Sequence, residues 1–460
     1  MLRGVTRDLS AIFKAYDVRG LYPEQLDEDA SRRIGSAFAR FVGAGRIAVG
    51  RDMRLSSESL AEAFGRGAAD EGATVVDLGL VSTDGLYFGS GELDLPAVMF
   101  TASHNPPQYN GLKMCRERAA PIGQDSGLAD IKALAEASDA SASDAAGGEA
   151  APSETATILE SYAAHCRGFI DASSLAPLKV AIDAGNGMAG RTVPIVFAPL
   201  PVEVVPLFFE LDGTFPNHLA NPIEPENLKD LQRVVTDRNC DLGIAFDGDA
   251  DRIFLVDETA SLVSGSLTTA LVAERLLKKH PGESVIYNLI CSWTVPEVIE
   301  ENGGKAIRSR VGHSFIKKLM AETGAIFAGE HSGHYYFRDN FRADSGMIAA
   351  LLVLEAMSET GQTLSKLLSP FRRYEASGEI NFEVTDQAAA MDLLAEHYAD
   401  GRQDRVDGLT VAYPDWWFNC RPSNTEPLLR LNLEARTSEV VKGRVDEVSR
   451  LITGGRDGDR

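Results

Sequence analysis

Basic residues are in short supply: Lys and Arg number 45 against 67 Asp and Glu, for a formal charge of −22. That balance excludes a nucleic-acid partner, because phosphate backbones are held by a basic face. It leaves room for a small anionic substrate, since a few cations gathered in one cleft reverse the local field. Cysteine is sparse too. Cys115, Cys166, Cys240, Cys291 and Cys420 are odd in number, scattered and without a CxxC pair. This excludes a disulfide framework and a thiolate zinc site, and suits a reducing compartment. Long apolar runs are missing: MIAALLVLEAM from Met347 is too short to span a bilayer and reads as a core helix. The start, MLRGVTRDLSAIFKAYDVRG, has no signal-peptide core. The expectation is a cytoplasmic protein with no membrane partner. At 460 residues the chain is too long for one core and is expected to form three or four domains.

What is present is a repeated alternation of strand and helix signals. IAVG (47–50) precedes SSESLAEAFGRGAADEG, which sets Leu60, Phe64 and Ala68 on one helical face. TVVDLG and PAVMF read as further buried strands, a pattern that indicates a parallel sheet covered on both sides. EASDASASDAAGGEAAPSET (136–155) is small, polar and acidic, and reads as a linker. The rhythm restarts at KVAIDAGNG and runs through VEVVPL and a helix near 227–239 to DLGIAFD. It restarts again after Asp257, with a helix from Gly265 to Lys279 and the strands ESVIYN, GKAIRS and GAIFAG. The openings RIAVGRD, KVAIDAG and LGIAFDGD share a strand-acid-glycine pattern, from which three related α/β units are expected. After Pro370 the character changes. GEINFEV, a helix over 386–399, LTVAY, WWFNC, LLRLNLEA and a last helix over 438–453 predict an α+β domain, with GGRDGDR fraying at the end. The expected domains are 1–150, 151–257, 258–370 and 371–460.

Four segments carry chemistry. In FTASHNPPQYNGLK (100–113), the prolines and Gly111 suffice for a turn, yet Ser103, His104, Asn105 and Lys113 are crowded around them. In DGDADR (247–252), between two apolar strands, Asp247, Asp249 and Asp251 can converge as oxygen ligands on one hard cation, Mg²⁺ or Ca²⁺. An EF-hand is excluded, because Arg252 stands where that loop needs glycine and strands flank it. A bare acidic turn fares poorly, since three like charges repel unless a cation sits among them. GEHSGH (329–334) offers acceptors and donors suited to sugar hydroxyls, and equally suits a structural turn. It is not a nucleophile elbow, because Glu330 lies two before Ser332. RPSNTEP (421–427) combines a guanidinium, side-chain donors and backbone N–H groups as an anion nest, or is a plain hairpin loop. A serine beside three aspartates and a lysine suggests phosphoryl chemistry.

These four segments, in this order and spacing, together with AYDVRG (15–20), resemble the α-D-phosphohexomutase superfamily along essentially the whole chain. The details are similar to its bacterial phosphomannomutase/phosphoglucomutase branch. Phosphoglucosamine mutases differ in carrying an FGTDG-type start and a glycine at the place of Asn424. The resemblance implies three related α/β mixed-sheet domains and a smaller carboxy-terminal α+β domain around a central cleft. It implies Ser103 as phosphoryl carrier, and Asp247, Asp249, Asp251 and the Ser103 phosphate around one Mg²⁺. Glu330, Ser332 and His334 would read the sugar, and Arg421, Ser423, Asn424 and Thr425 would grip the distal phosphate. Tyr16, Arg19, Lys113 and Arg252 would line the cleft. The implied reaction interconverts mannose 6-phosphate and mannose 1-phosphate through a hexose 1,6-bisphosphate, which also serves as activator. His313, His334, Arg19 and Lys113 are all candidates for the acid/base role, and His104 is expected to organise its loop. Dual-specificity relatives have a lysine at a strand end of the third domain, whereas no basic residue but His280 lies between Lys279 and Lys305 here. Preference for mannose over glucose is therefore expected. Phosphoglucosamine mutase, glucose-directed phosphoglucomutase and a non-catalytic phosphosugar-binding protein are the alternatives. A monomer is expected, with a dimer as the other state.

Overall fold

The structure, a computed structural model, describes residues 7–138, 153–423 and 428–454, the side chain of Asp125 aside. Most of the expected linker, and the tail after residue 454, lie outside them. Four sheets organise the chain. In the first, the strands Arg46–Arg51, Thr74–Leu80 and Ala97–Phe100 run parallel, and Tyr109–Arg116 returns antiparallel against Ala97–Phe100. Val18–Leu21, hidden in AYDVRG, adds an antiparallel edge to Tyr109–Arg116. Side chains of Arg46–Arg51 alternate between two cores: Ile47 and Val49 pack with Phe38, Phe64 and Phe100, while Ala48 packs with Val76 and Leu86. A strand buried on both faces needs a continuous apolar run, and IAVG supplies it.

The second sheet repeats the plan. Val202–Leu207, Leu178–Asp183 and Leu242–Phe246 are parallel, and Ile253–Asp257 returns antiparallel. In the third, Lys305–Ser309, Ser284–Asn288 and Phe327–Gly329 are parallel, and Tyr335–Phe337 returns. Three related α/β units are present, but the repeat read from the sequence was misassigned. KVAIDAG and LGIAFDGD are neighbouring strands of one sheet. The partner of RIAVGRD in the third unit is SVIYN, which has no acid-glycine ending because its strand runs into NLICSW. The first sheet also takes in Ser153–Thr155, and the second Leu262–Val263, so each continues a few residues past the boundary expected for it.

This topology has a functional consequence. In each unit the last parallel strand and its antiparallel return are joined by one loop: 101–108, 247–252 and 330–334. The serine, aspartate and GEHSGH loops thus occupy one topological position three times over, at the carboxyl ends of parallel strands.

The first three units share a continuous apolar cluster running from Ala48 to Phe371. Within it, Met347–Met357 is a buried stretch of the helix Gly346–Thr360, as its apolar run predicts. Glu355, buried there, is paired with Lys279. The helix expected over 265–279 is Gly265–Lys279, capped by Ser264. The fourth domain has its own core around Trp416, Phe418 and Leu431. It is an antiparallel sheet ordered Glu375–Phe382, Leu429–Ala435, Trp416–Pro422, Leu409–Ala412 and Arg402–Asp404, carrying the helices Gln387–His397 and Ser438–Ile452. It docks on the third through Trp293 N–H to Glu434, Val311 N–H to Asp407, and Arg308 to Asp404.

Candidate active site

Ser103 follows the buried strand Ala97–Phe100 and has φ 48°, a left-handed conformation in a non-glycine residue. Such a residue persists only where its surroundings over-determine it. Here they do. Its N–H donates to Thr101 Oγ1 at 2.9 Å, and its hydroxyl donates to Asp247 Oδ2 at 2.7 Å. Arg252 Nη2 donates to Ser103 Oγ at 3.0 Å and also contacts His104 Nδ1. Gly248 lets the loops close: a Cβ there would lie 2.5 Å from the Ser103 carbonyl oxygen.

Asp247, Asp249 and Asp251 are buried, and bring one oxygen each within 4.8 Å of one another. Lys113 Nζ lies 2.7 Å from Asp249 and 2.6 Å from Asp251, and Arg252 Nη2 lies 2.8 Å from Asp247. Thr83 Oγ1 donates to Asp249 at 2.6 Å. Burial pushes the Asp247 carboxyl up to about 7, with its two acidic neighbours adding and Arg252 opposing. Burial also works against Asp249, but Lys113 outweighs it and holds that carboxyl well below the usual range. Asp249 Oδ1 and Asp251 Oδ1 are buried without a hydrogen-bond partner among the described residues. Buried anionic oxygens of this kind call for a cation, so the donor set fits a hard divalent metal.

His334 lies beside this group. Asp251, His334 and Asp344 present ligand atoms within 4.8 Å of one another, and Lys317, buried, pairs with Asp344 at 2.9 Å. His313 packs edge-on to Tyr16 at 5.3 Å, and burial, then Lys317, keeps its imidazole well below the ordinary pKa. Tyr16 reaches across from the first domain to donate to the Val311 carbonyl, and Arg19 donates to Asn105 and pairs with Asp17. Glu330 is buried; its carboxylate accepts from Tyr336 Oη and Asn288 Nδ2, while Ser332 next to it is half-buried.

The phosphate-clamp candidates belong to the fourth domain. Arg421 ends the strand Trp416–Pro422 and is engaged inside its own domain, with Asn432 at 2.6 Å and Glu379 at 2.7 Å. The fourth domain nevertheless faces the sugar loop, since His331 lines one pocket together with Trp417, Asn432 and Glu434. Ser423 closes on Leu428 through a backbone bond, and Asn424 and Thr425 lie outside the described residues. Sequence reasoning missed Arg54, Thr83, Lys317 and Asp344. Arg54 had a signal, as a second cation following RIAVGRD; the others sit in segments read only as helix or loop.

Comparison with known proteins follows the same division. Residues 10–142, 160–261 and 264–374 match Phosphoglucomutase/phosphomannomutase alpha/beta/alpha domains I, II and III, and 379–451 match the C-terminal domain. A Xanthomonas campestris pv. campestris protein named "Phosphohexose mutases" is 41% identical over 447 residues, which cover 96% of this chain and 99% of that one. The chain belongs to the phosphoglucomutase/phosphomannomutase family. An Escherichia coli relative named "Phosphomannomutase" is 40% identical, covering 96% of this chain and 98% of its own. A crystal structure of a phosphoglucomutase/phosphomannomutase family protein from Burkholderia thailandensis superimposes with a TM-score of 0.86 at 33% identity, covering 98% of both chains. As a phosphohexomutase, the chain has the expected four-domain fold and belongs to the expected class of isomerases.

Proposed function

We propose that this mutase is a phosphomannomutase that interconverts mannose 6-phosphate and mannose 1-phosphate through a phosphoserine at Ser103. The observation that carries the reading is Ser103 Oγ at 2.7 Å from Asp247, inside a buried trio of aspartates balanced by Lys113 and Arg252. The phosphoryl group leaves Ser103 Oγ as the substrate's 6-hydroxyl oxygen bonds to phosphorus. The hydroxyl proton passes to His334 or His313, because Lys113 is held as an ammonium and a guanidinium such as that of Arg19 accepts no proton. The bisphosphate then turns round, and Ser103 Oγ bonds to the 1-phosphorus as the C1 oxygen leaves and takes back the proton, which releases the 6-phosphate and restores the phosphoserine. Asp247, Asp249, Asp251 and the serine phosphate would hold Mg²⁺, which supplies positive charge to the phosphoryl oxygens. Arg252 and Lys113 contribute fixed positive charge beside the same oxygens.

Glu330, Ser332 and His334 read the sugar, Tyr16 borders it, and Arg421, Ser423, Asn424 and Thr425 hold the distal phosphate. For that, Arg421 exchanges its Glu379 carboxylate for the phosphate. Mannose preference is supported by relatives named phosphomannomutase, and by the third-domain strand end. There Ile290 and Ser292 supply no cation to the pocket they line with His331 and Trp417, whose arginine, Arg372, comes from the junction with the fourth domain. Five free, buried thiols suit a cytoplasmic setting.

Intact mass tests the reading: wild type carries one phosphate that Ser103→Ala lacks. A coupled assay with mannose, glucose and glucosamine 1-phosphates, primed with hexose 1,6-bisphosphate, then ranks the sugars. Absence of phosphate from wild type incubated with bisphosphate refutes the mechanism and leaves a phosphosugar-binding protein.

A further inference from the structure

A residue outside the four motifs commands the serine loop. Arg54 is 3% exposed, and its guanidinium sits at the centre of the turn that carries Ser103. Nη2 donates to the carbonyls of Ser103 at 2.9 Å and Asn105 at 2.6 Å. Nη1 donates to those of Pro106 and Tyr109, both at 2.9 Å. Nε faces Asp52 Oδ2 at 3.3 Å, and that pair is completely buried. A guanidinium has five N–H donors in a rigid fork; here Nη1 and Nη2 make four hydrogen bonds to the loop's carbonyls, while Nε is buried in the ion pair with Asp52 and makes no hydrogen bond among the described residues.

The anchor is itself fixed. Asp52 Oδ1 accepts from the Arg54 N–H at 3.0 Å and from Ser57 Oγ at 2.6 Å. Asn110, inside the serine segment, donates to Ser57 Oγ at 3.0 Å, which closes a ring between helix and loop. The second domain covers the arrangement: the Phe215 ring lies 5.1 Å from Arg54 Cζ, and Gly213 is packed so tightly that a Cβ would stand 2.7 Å from Arg54 Cα.

Two consequences follow. Four carbonyls drawn inward to one cation dictate the loop's course, so that Ser103 holds its left-handed φ and turns its hydroxyl outward to Asp247. The Ser103 carbonyl held by Arg54 is also the atom against which Gly248 closes. One guanidinium therefore sets the serine loop and its distance from the aspartate loop together.

We propose that Arg54, anchored by Asp52, is a positioning residue for phosphoryl transfer, setting Ser103 Oγ over the aspartate trio through the loop's backbone without touching the substrate. This rests on the phosphoserine reading above. A misplacement near 1 Å at the reacting atoms costs on the order of 100-fold in rate, and it is lost from turnover and not from substrate binding.

The test uses the full-length enzyme with hexose 1-phosphate, primed with bisphosphate. Arg54→Lys, whose ammonium cannot span four carbonyls, is expected to lower kcat by roughly 100-fold while KM stays within about twofold. In Arg54→Ala, tens of millimolar guanidinium restores about tenfold of the lost kcat, and methylammonium, lacking the fork, does not. A wild-type kcat in Arg54→Lys, a loss carried by KM, or an Arg54→Ala enzyme indifferent to guanidinium each overturns the proposal. If the Arg54 variants do not accumulate folded, Asp52→Asn carries the test. A partial fall in kcat at constant KM supports the proposal, and an unchanged kcat overturns it. Wild type without phosphate on Ser103 sinks the phosphoserine reading itself, whereas phosphorylated wild type with an indifferent Arg54→Lys sinks this inference alone.

Discussion

Replacing Lys113 by methionine isolates the electrostatics of the aspartate loop. The ammonium lies 2.7 Å from Asp249 and 2.6 Å from Asp251. At an effective dielectric of about 20, each contact is worth about 6 kcal/mol of gross attraction. Burial of the ammonium offsets much of this, and breaking a buried pair costs about 3–5 kcal/mol net, because the partner charges are left uncompensated. Burial works against the Lys113 ammonium, but Asp249 and Asp251 prevail and raise its pKa well above the ordinary value. A raised folded-state value means that the contribution is fully present below the unfolded lysine value and lost only as pH climbs through the folded one. The ammonium is therefore charged at both about pH 6 and about pH 9, while the Asp247 carboxyl, pushed up to about 7, gains charge between them, so the cost should be larger at about pH 9. A divalent cation bound by the folded state alone at about 100 times its Kd returns about 2.7 kcal/mol. It returns more where no ammonium competes for the carboxylates. The assay is thermal melting in EDTA and in MgCl₂, at both pH values. The expected result is a fall of roughly 5 °C in EDTA, because the three units share one core and unfold with a large entropy, shrinking by about half when Mg²⁺ saturates. Unchanged melting in EDTA, or an equal Mg²⁺ effect on variant and wild type, refutes the reasoning.

Gly248→Ala forces the serine and aspartate loops apart, since its Cβ meets the Ser103 carbonyl oxygen at 2.5 Å. Turnover should drop on the order of 100-fold with the melting temperature much less affected, as kinetics beside a melting curve will show. Arg421→Lys loses the planar fork, so KM for the hexose phosphate should rise about tenfold or more while the phosphoserine content of the resting enzyme, read by mass, stays intact. His218 Nε2 lies 3.0 Å from Asp183. Burial pulls its pKa down, but the hydrogen bond to Asp183 prevails and leaves it raised. Its contribution is therefore fully present below about pH 6.5 and lost as pH rises through the folded value. His218→Gln should be the less stable protein in acid and match wild type by about pH 9 in denaturant titrations.

The motifs were legible because each is local. A carboxylate trio at alternate positions, a serine among turn formers and a lysine on the next strand carry their chemistry within a dozen residues. Strands buried on both faces were also legible from their unbroken apolar runs. Less so were edge strands such as Val18–Leu21 and Arg402–Asp404, whose half-exposed backbone needs no apolar pattern. The repeat was read from a strand-acid-glycine resemblance, and that signal fails here because acid and glycine mark loop chemistry and not strand position. LGIAFDGD matched KVAIDAG in letters while lying beside it in one sheet.

The amino-acid order alone singled out the serine, the aspartates and the lysine of the proposed phosphoryl site, for those side chains cluster along the chain. Folding decided who neutralises whom. Lys113 meets Asp249 across 136 positions, and Arg54 meets Ser103 across 49. Such contacts depend on where parallel strands end and which loops those ends bring face to face, and no pattern along the chain encodes that. A buried guanidinium reads in sequence like any surface arginine until the carbonyls that surround it are in place.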